Sequence, residues 1–290
     1  MTFPTSPSPS ITDSSLPTQT LATDEGTIAF DDTSTGHLVI CVPSIGDVRA
    51  EYRFLRPQLV EAGFRVVTMD LRGHGESSTD FSDYSSAATG ADIIALSRHL
   101  QAGPSTVIGT SKAAGAAVWA ATQAPGDIGS LVLISPFVRA HSGDWMQKMV
   151  MNVLLARPWG VRFWIAYFPK FYPSEKPDDF NTYRDDLKEN LNESGRLGAL
   201  KAMVNSPGDM ETELTAISVP TLVVTGTRDP DFKDPVAEGE WIAEKTHGRA
   251  LAVDGAGHYP HAEMPDRVGP EIIQFLAQSS ADHGVQPAGN

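Results

Sequence analysis

Three polar residues stand where apolar runs break off, and their types are those of nucleophilic acyl chemistry: Ser111, Asp229 and His258. Ser111 lies in Gly109-Thr110-Ser111-Lys112-Ala113, between the run Thr106-Val107-Ile108 and an alanine-rich stretch of helical character. A strand turning this sharply into a helix leaves room only for hydrogen or methyl groups two residues either side of its serine. It holds the hydroxyl out beyond the sheet edge. Gly-x-Ser-x-Gly is the usual form, and Ala113, in the last place here, is still small. A serine hydroxyl attacks well at neutral pH only if a base takes its proton, and that base is normally a histidine oriented by a carboxylate. The bland alternative is a chance Gly–Ser loop; the strand before it and the helix after it argue against that.

Two later strand ends supply the partners. The run 221–225 leads into Gly226-Thr227-Arg228-Asp229-Pro230-Asp231, and 249–253 leads into Asp254-Gly255-Ala256-Gly257-His258-Tyr259-Pro260. Asp229 is nearer its strand end than Asp231 and is preferred as the orienting acid; its competing role is a turn residue before proline. Asp234 reads as an N-cap ahead of Pro235. His258 sits among glycines that let its ring cross a crevice, whereas His261 is expected to start or flank the last helix. His74, within Asp70-Leu71-Arg72-Gly73-His74-Gly75-Glu76-Ser77, reads as a structural loop residue. No further ligands stand at metal-binding spacing around His258 and His261, so neither a metal nor a cofactor is expected.

Short apolar runs at 38–42, 65–69, 105–108, 131–134, 221–225 and 249–253 alternate with helical patterns near 50–62, 85–100, 111–124, 235–246 and 266–278. Continuous apolar strands separated by helices predict a parallel sheet covered on both faces. Asp24-Glu25-Gly26 between two short runs predicts a hairpin. Residues 1–20, rich in Ser, Thr and Pro, read as a disordered tail, as do 280–290. The core is expected in two parts, 21–136 and 213–279. Between them, 137–212 contains no strand-like run and crowds large apolar residues between prolines, which predicts a helical cap over the strand ends. Most of those side chains are expected to pack cap on core. A few, taken here as Trp145, Met149, Trp164 and Phe168, are expected to line an apolar substrate pocket.

With 290 residues, 41% hydrophobic and 20% charged, the chain has the make-up of an ordinary globule, and its net charge of −14 argues against nucleic acid or an anionic membrane as partner. No run is long enough to span a bilayer, and the N-terminus lacks a secretion signal, so a cytoplasmic protein with a small-molecule substrate is expected. Cys41, the single cysteine, lies in an apolar run and reads as a buried thiol.

Taken together, the Ser111 turn, the 70–77 segment, the Gly226–Asp229 loop and the Gly257-His258 loop resemble the α/β-hydrolase fold family from about Leu21 to Ala277. The resemblance implies an eight-stranded, mostly parallel sheet with flanking helices and a helical cap after the sixth strand. It implies Ser111 as nucleophile, Asp229 as orienting acid and His258 as general base. It also implies an oxyanion hole of two backbone N–H groups, that of Lys112 and that of Ile45. The family places a His-Gly pair before the second donor, and Pro43-Ser44 stands there instead. Ser44 is expected to add a hydroxyl beside Ile45, Gly46 to give the loop its freedom, and Asp47 to cap a helix beginning near Arg49. The Lys112 ammonium is read either as attracting an anionic part of the substrate or as running along the helix surface into water.

The expected activity is a serine hydrolase acting on a small to medium ester, thioester or lactone with an apolar moiety. Alternatives on the same triad are C–C bond hydrolysis of a vinylogous diketone and a cofactor-free haloperoxidase or perhydrolase. A slow-turnover ligand receptor or regulatory protein is the rival of another class. The serine at the turn argues against the dehalogenases and epoxide hydrolases of the fold, which carry a carboxylate nucleophile.

Overall fold

Strands enclosed on both faces carry mainly apolar residues, as the runs 38–42, 64–69, 128–134 and 221–226 do, each buried over nearly its whole length. The computed structural model describes residues 16–33, 35–139 and 144–282, the side chains of 144–148 and 280–282 excepted. The strands are β1 (Gln19–Ala22), β2 (Thr27–Asp32), β3 (His37–Val42), β4 (Phe64–Met69), β5 (Ser105–Thr110), β6 (Ile128–Ile134), β7 (Thr221–Gly226) and β8 (Arg249–Val253). They form one sheet in the order β1-β2-β4-β3-β5-β6-β7-β8, antiparallel from β1 to β4 and parallel thereafter.

The helices are α1 (Leu55–Glu61), α2 (Ser86–Leu100), α3 (Lys112–Gln123), α4 (Asp144–Leu154), α5 (Gly160–Tyr167), α6 (Phe180–Asn192), α7 (Arg196–Asn205), α8 (Glu211–Leu214), α9 (Pro235–Lys245), α10 (Pro260–Glu263) and α11 (Pro265–Asp282). Alternate residues of one strand serve two cores. Leu38, Ile40 and Val42 of β3 join Val107, Leu131, Leu133 and Val223 under the alanines of α3 and Ile93 and Leu96 of α2. Val39 and Cys41 join Ile108, Val132, Leu222 and Val224 under Leu55 and Leu59 of α1 and Val268 and Ile272 of α11. Cys41 is thus buried, and burial pushes its thiol well above the ordinary range.

The predicted hairpin closes with Thr23 N–H donating to the Gly26 carbonyl at 2.8 Å. β1 begins at Gln19, inside the stretch read as a tail. It is an edge strand with one inward residue, Leu21, so its polar composition concealed it. α11 likewise runs on to Asp282, past the expected end of the core at 279.

Between β6 and β7 the chain is helical, α4 to α8, with a short 3-10 turn at Phe168–Phe171. Its large side chains fall into two clusters, each tied to a loop at the C-terminal ends of the strands. Phe168, Phe171, Tyr172, Phe180 and Tyr183 pack with Val48, Tyr259 and Ala262. Leu155, Val161, Trp164, Leu197 and Leu200 pack with Ile45. Among the described residues no helix is long and apolar enough to cross a membrane.

Candidate active site

At the end of β5 the chain turns through Ser111 with φ 59° and ψ −124°, a conformation that costs a non-glycine residue about 1–3 kcal/mol and persists only where its surroundings fix it. They do fix it. Ser111 N–H donates to the Ile134 carbonyl at 2.8 Å, and its own carbonyl accepts from Ala114 and Phe137, each at 3.1 Å. Gly109 is required by the tightness of the turn, since a Cβ there would lie 2.7 Å from the Ala113 carbonyl oxygen. Lys112 opens α3, so its amide belongs to the first helical turn, whose N–H groups point outward along the axis.

β7 and β8 end beside one another and deliver the acid–base pair. His258 Nδ1 lies 2.8 Å from Asp229 Oδ2, both side chains buried to 1%. The second oxygen of Asp229 accepts the Asp231 N–H at 3.0 Å. Asp231, the other candidate acid, has its Oδ2 4.0 Å from the same Nδ1 and accepts the Tyr167 hydroxyl at 2.9 Å. Burial opposes a charge on His258, but Asp229 and its hydrogen bond, then Asp231 and Glu51, outweigh it, so the imidazole is pushed up to about 9. Burial raises the Asp231 carboxyl, with the His258 charge opposing.

Aromatic rings enclose the imidazole, with centroids at 5.0 Å for Phe171, 5.2 Å for Tyr259 and 6.0 Å for Phe137. Phe137 therefore touches both groups, through its amide to Ser111 and its ring to His258. Among the described residues, Asp229, Asp231 and His258 are the one set able to share a metal ion, their ligand atoms lying within 4.8 Å of one another. The nitrogen such an ion would use is the one engaged with Asp229.

The loop after β3 is a turn closed by Asp47 N–H to the Ser44 carbonyl at 3.2 Å, with Gly46 at φ +72°. Trp164 lies against Gly46, where a Cβ would come within 2.5 Å of the indole, and its Nε1 donates to the Gly46 carbonyl at 3.2 Å. Ser44 N–H donates to Glu51 Oε2 at 2.7 Å, and the Ser44 hydroxyl is 3.5 Å from the Ile45 carbonyl. Among the described residues the Ile45 N–H has no acceptor.

Several expectations change. Asp47 caps no helix: Val48 holds that position without a side-chain bond, while Asp47 is fully buried, accepting from Val48 N–H and the Tyr183 hydroxyl. Burial, reinforced by the charge of Glu51, pushes the Asp47 carboxyl up to about 8.

The Lys112 ammonium is directed neither to a substrate nor to water. It donates to the Met203 and Ser206 carbonyls and the Ser206 hydroxyl, latching the end of α7 to the start of α3. The carbonyls ending a helix attract such a cation. Met149 is 55% exposed on the outer face of α4, too far out for a pocket wall, and Phe168 is a wholly buried member of the aromatic cluster. Trp164 holds the Gly46 turn, and the side chain of Trp145 lies outside the described residues.

His74 is structural as read, its Nδ1 2.8 Å from the Arg72 carbonyl and burial pulling it down to about 4. Asp234 caps α9, accepting Ala237 N–H at 3.0 Å. Glu51 and Tyr183 escaped the sequence reading, because no strand-end or glycine signal marks them; Tyr167 and Phe171 stand in the sequence only as members of the predicted cap's crowd of large apolar residues.

The fold has counterparts among known proteins. Residues 39–271 match the model of the alpha/beta hydrolase family. A 3-oxoadipate enol-lactonase of Acinetobacter baylyi is 27% identical over 206 residues, 69% of this chain and 74% of that protein. A thermophilic esterase of Thermogutta terrifontis superposes with a TM-score of 0.76 at 24% identity, over 91% of this chain and 99% of that one. A bromoperoxidase of Bacillus anthracis does so with a TM-score of 0.76 at 20% identity, over 87% and 95%. A match spanning β4 to β8, the Ser111 turn and both later loops has one meaning for descent: the chain belongs to the alpha/beta hydrolase family.

Proposed function

We propose that the protein is a serine hydrolase that cleaves a small to medium carboxylic ester, thioester or lactone through an acyl-enzyme. The observation that carries the reading is the buried 2.8 Å contact between His258 Nδ1 and Asp229 at the rim where the strained Ser111 turn emerges. Asp229 fixes the imidazole tautomer, leaving Nε2 to take the Ser111 proton as the hydroxyl attacks the carbonyl. The Ile45 and Lys112 amides stabilise the tetrahedral oxyanion. His258 then protonates the leaving group and draws a proton from water, which releases the acid and regenerates the serine. Phe137, Phe171 and Tyr259 around the imidazole favour an apolar moiety.

The lactonase among the relatives supports including lactones. The site is read as small-molecule, with no cofactor, and the compartment as cytoplasmic. The test is labelling by a fluorophosphonate, together with a burst assay on p-nitrophenyl esters of increasing chain length. The parent should label and turn over. Ser111→Ala should lose both, activity falling about 10⁴-fold or more, while remaining folded. Labelling that survives in Ser111→Ala would move the nucleophile elsewhere. A burst without turnover would favour a receptor on the same fold.

A further inference from the structure

Behind the turn that carries Ile45 lies a second carboxylate and imidazole that the proposed chemistry does not use. Glu51, in the 3-10 turn Arg49–Tyr52, and His261, in α10, are both buried to 1% exposure or less. Glu51 Oε2 accepts the Ser44 N–H at 2.7 Å, and Oε1 lies 3.1 Å from His261 Nε2. The His261 ring packs on that of Tyr52 with centroids 5.0 Å apart. The Tyr52 hydroxyl in turn donates to the Val42 carbonyl at 2.8 Å and lies 2.8 Å from the Thr110 hydroxyl. Val42 ends the strand before the Ile45 turn, and Thr110 immediately precedes Ser111.

From this juxtaposition we propose that Glu51, packed against His261, is the positioning residue that aims the Ile45 amide at the oxyanion. The inference rests on the reading of Ser111 as nucleophile and Ile45 as donor. The turn has few ways to be held from its own sequence. Pro43 lacks an N–H, so the first amide able to anchor the turn is that of Ser44. A carboxylate is the strongest acceptor available to it, since hydrogen bonds to ionised groups are shorter and about twice as strong as neutral ones. Ser44 O, bonded to Asp47 N–H, fixes the peptide plane that carries the Ile45 N–H, while Ser44 N–H on Glu51 and Gly46 O on Trp164 hold the planes before and after it. His261 stands three residues beyond His258, in the first turn of α10. The contact therefore ties the segment bearing the base to the loop bearing the oxyanion donor. Glu51 and His261 touch no reacting atom; they act through Ser44.

The test compares Glu51→Gln, His261→Phe and the paired variant Glu51→Met with His261→Leu. The pair is included because an apolar substitute for both partners folds where a lone buried group would not. For each, kcat and KM are measured on p-nitrophenyl butyrate, together with the inhibition constant of butylboronic acid, whose tetrahedral adduct on the serine occupies the oxyanion hole. The expected result is a kcat about 10- to 100-fold lower with KM changed less than about threefold. Butylboronic acid affinity should weaken in step with kcat, in the paired variant too. Variants that fold and keep both kcat and boronate affinity within about twofold of the parent would reduce the contact to packing. Loss of thermal stability with kcat intact would do the same. Failure of the underlying reading shows differently, as a parent whose activity survives Ser111→Ala.

Discussion

His258 and Ile45 reach the Ser111 turn from different loops and are held there by different kinds of support. The imidazole is fixed from within the sheet: β7 and β8 pair in register from Leu222↔Arg249 to Gly226↔Val253, so the loops that follow bring Asp229 and His258 side by side. The Ile45 turn leaves β3 alone and is held by residues far along the chain, Trp164 of α5 and Tyr183 of α6, and by the nearby buried Glu51. One side takes its register from strand pairing, with the His258 N–H anchored to the Phe171 carbonyl at 3.0 Å; the other has no such pairing beside it and borrows its geometry from the inserted helices and Glu51. A change on the first side should strike proton transfer and leave the fold alone. A change on the second should spread into loop position and stability.

The hardest blow to the strand-built side is Asp229→Asn. It keeps the shape but disturbs the imidazole tautomer and removes the charge that stabilises imidazolium, so kcat should fall about 10⁴-fold. Asp231→Asn, whose nearest oxygen lies 4.0 Å from the imidazole, should cost less than about tenfold. Steady-state rates on one p-nitrophenyl ester rank the two. The reverse order would make Asp231 the orienting acid and break the picture of a geometry inherited from the strand end.

Protons provide a finer probe of the same side. His258 is pushed up to about 9, and only its neutral form accepts the serine proton. The acid limb of kcat/KM should therefore climb about tenfold per pH unit and level off only as pH passes about 9. In Asp231→Asn the limb should move to lower pH, because one negative charge favouring imidazolium is gone. The same shift contributes stability that is complete below the unfolded value near 6.5 and fades as pH rises through about 9. Activity and stability thus run in opposite directions across that window. A flat profile between about pH 6 and 9 would argue against a histidine base.

The two sides also differ in how far the sequence exposes them. Ser111, Asp229 and His258 each lie within a few residues of the end of an apolar run, and nearby glycines mark each place, so local pattern singles them out as candidates and predicts parallel strands. The support for Ile45 carries no such mark. Trp164 and Tyr183 sit in a helical segment dense with aromatics, where a residue that holds a loop and one that fills a core look alike. Met149 shows the cost: its apolar character suggested a pocket wall, yet α4 turns it outward. Lys112 shows it again, since its partners Met203 and Ser206 lie about ninety positions on and only the folded chain brings them together. Asp47 and Glu51 were hidden for another reason. Polar residues in a loop normally face water, and no periodicity announces that helices from elsewhere will cover them.

Asp47 gives the gentlest test of the borrowed side. Burial and the neighbouring Glu51 push its carboxyl up to about 8, far above the unfolded value near 3.8. The folded state then binds the proton more tightly than the unfolded chain. The stability this provides is complete below about pH 3.8 and is lost as pH rises through about 8. Asparagine keeps an acceptor for the Val48 amide and the Tyr183 hydroxyl while carrying no charge into the interior. Asp47→Asn should therefore match the parent near pH 4 and exceed it above pH 8 by several kcal/mol, with kcat within about threefold. Thermal melts at the two pH values decide the matter. A variant less stable than the parent at both would mean that Asp47 holds the turn as a charged group, and that the inserted helices contribute electrostatics as well as packing to the amide side.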